Sequence, residues 1–80
     1  MDKALEKYYE GQFSMMVTSG WSDLMDDLKQ MKTVISDIHN IPDETNLFFR
    51  KGQLDIINLL LTRQEACSKS YEDLNNEENV

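Results

Sequence analysis

Proline, cysteine and histidine each occur once in this chain, as Pro42, Cys67 and His39. One thiol closes no internal disulfide, and one thiol with one imidazole falls short of the four ligands of a structural zinc site. Basic residues are also scarce. Eight Lys and Arg stand against fifteen Asp and Glu, for a formal net charge of −7. Nucleic-acid binders need the opposite balance, because neutralising phosphates takes Lys and Arg in excess. No apolar run approaches the roughly 18 residues of a membrane span, and the N-terminus lacks the apolar core of a signal peptide. Phosphate-cradling Gly-rich loops, nucleophile elbows and paired acid/base constellations are missing as well. These absences leave a small, soluble, acidic, intracellular protein that is not an enzyme, takes no cofactor or metal, and binds neither nucleic acid nor membrane. Eighty residues make a single helical domain, 1–80, whose core is thin, since a chain of this size buries only roughly 60% of its unfolded surface.

What remains is helical periodicity. In the first segment Leu5, Tyr9, Phe13 and Met16 are spaced by four, four and three, which places them on one face of a helix over about 2–17. Gly11 weakens that helix by about 1 kcal/mol relative to Ala. Thr18-Ser19-Gly20 then interrupts the pattern, and either hydroxyl can cap a new helix. From there Trp21, Leu24, Leu28, Met31, Ile35 and Ile38 alternate steps of three and four, the cleanest stripe in the chain. They predict a core-forming helix over 20–39. Asp23, Asp26 and Asp27 suit the positive end of its dipole.

Asn40 can end that helix, and Pro42 disfavours helix at Ile41 while suiting the first turn of the next. A connection this short predicts antiparallel neighbours. The third helix is expected over 43–74, with a flexible acidic tail over 75–80. Leu47, Leu54, Ile57 and Leu61 form one stripe on it, and Phe49, Ile56, Leu60, Cys67 and Leu74 a second. Gly52, between them, is expected to mark the close approach of another backbone. The expected fold is all-α: an antiparallel helical hairpin with a shorter N-terminal helix against it. Its core is Trp21, Leu24, Leu28, Met31, Ile35, Ile38, Leu54, Ile57 and Leu61. The two stripes of the third helix exceed what one antiparallel partner covers, so an oligomer or an obligate partner is expected.

Candidate chemistry is sparse. His39 and Cys67 lack a third group to complete a nucleophile–base arrangement, and suit a helix end and a small buried thiol. The carboxylates at Asp23, Asp26 and Asp27 have spacing that could hold a cation, but no Glu-x-x-His pair or glycine-bearing calcium loop accompanies them. Glu72, Asp73, Glu77 and Glu78 serve solubility. Arg50, on the Leu54–Ile57 stripe, is expected to reach a carboxylate across an interface. Phe48 lies roughly 120° round the helix from that stripe, beside Leu59 on the polar side, and is better explained by a partner than by a monomer core. The expected interface is therefore Phe48, Phe49, Ile56, Leu59, Leu60 and Arg50.

The stretch Phe49-Arg50-Lys51-Gly52-Gln53-Leu54-Asp55-Ile56-Ile57-Asn58-Leu59-Leu60-Leu61, preceded by Gly20-Trp21-x-x-Leu24-x-x-Asp27-Leu28, resembles a pattern in short helical proteins encoded among the structural genes of tailed, podovirus-type bacteriophages. The resemblance covers about residues 8 to 74, and its distinctive parts are Arg-x-Gly-Gln-Leu-Asp and the Gly-Trp helix start. It implies a virion-associated or assembly protein, located in the virion and in the host cytoplasm during assembly. Such a protein would be a small helical adaptor that binds itself or larger capsid, portal or tail proteins. An acidic phage-encoded regulator that binds and inhibits a host enzyme is the alternative. That role needs an organised acidic face, whereas the acids here are scattered over helix starts and the tail.

Overall fold

Short oxygen-bearing side chains set where the helices of this protein begin. A computed structural model describes residues 1–78, and among them every regular element is helical. Asp2 caps α1 (Lys3–Met16), its Oδ1 accepting from the Leu5 N–H at 2.7 Å. Thr18 serves two helices. Its hydroxyl donates to the Met15 carbonyl at 2.7 Å, closing α1, and accepts from the Trp21 N–H at 3.2 Å, opening α2 (Ser19–Ile35). Asp37 caps a 3-10 turn (Ile38–Asn40) by accepting from the His39 N–H at 3.0 Å. Asp43 opens α3 (Glu44–Leu61), accepting from the Asn46 N–H at 2.8 Å. The Thr62 carbonyl accepts the first bond of α4 (Arg63–Glu78), from the Ala66 N–H at 3.0 Å.

Three expected boundaries are corrected. The second helix ends at Ile35 rather than 39, because Asp37 adopts an extended conformation and starts the 3-10 turn. The long third helix is two helices, broken at Thr62. Thr62-Arg63-Gln64-Glu65 has the Thr-x-x-Glu pattern of a capping box, a local signal that interrupts an otherwise continuous apolar stripe. Residues 75–78, expected in a flexible tail, continue α4, while 79 and 80 lie outside the described residues.

The chain groups into two compact units. The first comprises Met1–Ser22 and the chain from Thr62 onward. In it α1 packs on α4, so the partner of the N-terminal helix is the segment that was expected to end the long third helix. Tyr9, Met16 and Cys67 form its buried centre, and Leu5, Phe13, Trp21, Tyr71 and Leu74 pack around them. The Tyr71 ring meets Tyr9 at 5.7 Å and Phe13 at 5.6 Å, edge-on in both cases. Such T-shaped pairs add about 0.5–1.5 kcal/mol beyond the area they bury. On the same unit Arg63 Nη2 donates to the Tyr8 hydroxyl oxygen at 2.6 Å.

The second unit, Asp23–Leu61, contains most of α2, the 3-10 turn and α3. Leu28 and Ile57 are buried in it, and Ile35, Leu54 and Leu61 half-buried, whereas Leu47 of the same α3 stripe is exposed. The other half of the α2 stripe departs from the expected core. Leu24, Met31 and Ile38 are 45%, 50% and 72% exposed. At 100° per residue Leu24 and Met31 lie some 40–60° from their neighbours Trp21, Leu28 and Ile35 on the stripe and only one arc is covered, while Ile38 lies beyond α2 in the 3-10 turn. Gly52 is likewise corrected: a Cβ built there meets nothing within 4 Å, so no backbone approaches it.

Candidate interaction surface

Arg50 organises the second unit's connection. Its Nη2 donates to the Asn40 carbonyl at 2.9 Å, and its Nη1 reaches the Ile35 and Asp37 carbonyls at 3.5 Å. These oxygens belong to the end of α2 and the turn that follows, where the last carbonyls run out of α-helical partners and the helix dipole favours a cation; the Asp37 carbonyl also accepts from the Asn40 N–H at 3.2 Å. Arg50 was expected to meet a carboxylate across an interface. Instead it is half-buried and spends its donors on its own backbone. Asp37 Oδ2 accepts from Asn40 Nδ2 at 2.9 Å and braces the same turn.

Holding the connection in this way shapes a groove of about 310 Å³ lined by Ile35, Ile38, Ile41, Leu47, Phe48 and Leu54, with Arg50 and Lys51 at its edge. Its lining residues include two cations and no carboxylate, a local reversal of the chain's overall charge. Beside it, sharing Ile35, lies an open depression on α2 lined by Asp27, Gln30, Met31 and Val34. Here the only charged lining group is an acid. The outer side of α3 is a third apolar area. Phe48, Phe49, Ile56 and Leu59 are about 60% exposed there (62%, 66%, 59% and 63%), and Leu60 joins them at 36%. These are the expected interface residues other than Arg50.

At the head of α3, hydrogen bonds from the Asn46 backbone and side-chain N–H groups, at 2.8 and 3.0 Å, favour the charged form of Asp43 and lower its pKa from the usual 3.8. The reactive candidates lie elsewhere. Cys67 is a free thiol buried in the core of the first unit, 3% exposed, and His39 is an exposed residue of the 3-10 turn in the second. Asp23, Asp26 and Asp27 are exposed along α2, and no group of acids, His or Cys able to hold a metal occurs among the described residues. Also among the described residues, no helix is long and apolar enough to cross a membrane.

No protein-family model matches this chain, and no curated protein or solved structure is similar to it.

Two features escaped the sequence. Tyr71, which closes the aromatic cluster of the first unit, lies in a helix of low overall hydropathy, and its spacing of four from Cys67 was the available signal. The groove escaped because it depends on how the connection bends. Ile38 reads as core by spacing, yet it lines the groove mouth.

Proposed function

We propose that this protein is a non-enzymatic helical adaptor of a tailed bacteriophage, virion-associated or active in assembly, that binds a larger capsid, portal or tail protein through the outer face of α3. In this reading α2 and α3 act as an antiparallel hairpin presenting that face, and the protein resides in the virion and in the host cytoplasm during assembly. The observation that carries the reading is the exposure of Phe48, Phe49, Ile56 and Leu59 on one helix. Covering each such side chain is worth about 1.5–3 kcal/mol, a driving force that an isolated chain leaves unused. The phage assignment is supported by the resemblance of the Phe49–Leu61 stretch and the Gly20-Trp21 helix start.

The test is recovery of the chain in purified particles at fixed copy number, with Phe49→Glu and Ile56→Glu variants compared with wild type. Both positions are exposed, so the variants should keep wild-type helicity while losing incorporation or co-purification with the structural proteins. Absence from particles, and from assembly intermediates, would remove the adaptor reading and favour a regulator acting on a host enzyme.

A further inference from the structure

The two apolar depressions of the second unit carry opposite charge and touch at Ile35. On α2, Asp27 edges the face that presents Met31 and Val34, which are 50% and 67% exposed. Across Ile35, Lys51 and Arg50 edge the groove that contains Ile38 and Phe48. Neither area is satisfied within the chain: Ile38 and Phe48 are 72% and 62% exposed, and Lys51 is exposed at the edge.

We propose that the second unit is a homodimerisation module, in which the acid-edged face of α2 in one copy seats against the cation-edged groove of a second copy about a two-fold axis near Ile35. Two adjacent patches of opposite charge on one surface are what an isologous contact requires, since the axis places each patch against the other patch of the partner. Met31 and Val34 then cover the groove that Ile38 and Phe48 leave open. Asp27 of each copy faces Lys51 of the other, so one residue pair is used twice. Unlike charges meeting at both ends fix the register, and apolar burial between them supplies affinity. A second copy fits better than an unrelated partner because the complementary surface is already present on this chain. The proposal deepens the adaptor reading and shares only Phe48 with the outer α3 face, so the Phe49 and Ile56 variants of that reading and the Asp27, Val34 and Lys51 variants here let the two fail separately.

The experiment is sedimentation of the full chain at micromolar concentration, with helicity checked by circular dichroism. Wild type should be a dimer, and Val34→Glu a folded monomer. Asp27→Lys and Lys51→Glu should each weaken self-association by about tenfold or more, because each substitution creates a like-charge contact twice. Mixed together, the Asp27→Lys and Lys51→Glu chains should pair with wild-type affinity, since both contacts in that heterodimer again join unlike charges. The doubly substituted chain should self-associate for the same reason. Lys69→Glu, with the same charge change in the first unit, should leave the dimer intact. A wild-type monomer at these concentrations would overturn the proposal. So would a dimer insensitive to both charge reversals, or one that the mixture and the double variant fail to restore. If the wild type is monomeric and Val34→Glu instead loses capture of a structural protein, that protein is the occupant and the second copy is not.

Discussion

Arg50 and Asn40 are joined across ten residues by a 2.9 Å bond from guanidinium Nη2 to backbone carbonyl. The contact ties the third helix to the end of the connection before it, and it gives a residue expected to serve a partner a structural task within the chain. A hydrogen bond from a charged donor to an otherwise unpaired carbonyl is worth about 1.5–3 kcal/mol when shielded from water.

Arg50→Ala should therefore lower stability by about 1–2 kcal/mol, discounted because Arg50 is only half-buried, and should raise amide exchange through residues 36–41. Arg50→Lys should recover only part of this, since one ammonium cannot span carbonyls that a planar fork reaches together. Denaturant melts with hydrogen exchange check it. Unchanged exchange in the connection would show that the bend holds without Arg50.

Gly11 and Gly52 sit inside helices with open space where a Cβ would go and no positive φ. Gly11→Ala and Gly52→Ala should each stabilise the protein by about 1 kcal/mol, by limiting the unfolded chain and improving helix propensity. Thermal denaturation of the single variants is sufficient. A loss of stability at Gly52 would reveal a neighbour packed against that position.

Tyr9 is buried and its ring meets Tyr8, Phe13 and Tyr71, whereas Trp21 is half-buried at the edge of the same cluster. Tyr9→Ala should cost about 3–5 kcal/mol, and Trp21→Ala measurably less. Equal midpoints for the two variants would contradict it.

Asp43 titrates below its usual value because its charged form accepts the Asn46 N–H groups. Its contribution to stability is then complete above the ordinary carboxylate pKa and is lost as pH falls through the lowered one. Asp43→Asn keeps a capping oxygen without the charge. Melting midpoints followed downward from about pH 6 should fall faster for wild type than for the variant. Parallel curves would mean that the charge of Asp43 does not support the head of α3.

The helix starts were legible to different degrees. Thr18 and the Asn40–Pro42 break were evident, because a cap acts within three or four residues and leaves a local signature. Thr62 was equally local, but the apolar stripe running from Phe49 to Leu74 masked its capping pattern. The α1 face was also readable: Leu5, Tyr9, Phe13 and Met16 all lie in or against the first core. The exposed residues Phe48, Phe49, Ile56 and Leu59 were separable from the inward stripe because angular position on a helix follows from sequence spacing alone.

By itself, then, the sequence determined that the chain is helical, where apolar arcs run along each helix, and that those arcs are wider than one neighbour can cover. Tertiary structure alone decided which arc is covered. On α2 it buried Leu28 and left Leu24 and Met31 in water, and it left Ile38 exposed in the turn that follows, although all belong to one repeating pattern. It also paired α1 with α4 through Tyr9, Cys67 and Tyr71, and it turned Arg50 onto the Asn40 carbonyl. The physical reason is one of range. Capping and periodicity are settled between residues a few positions apart, whereas burial depends on which distant surface arrives to exclude water.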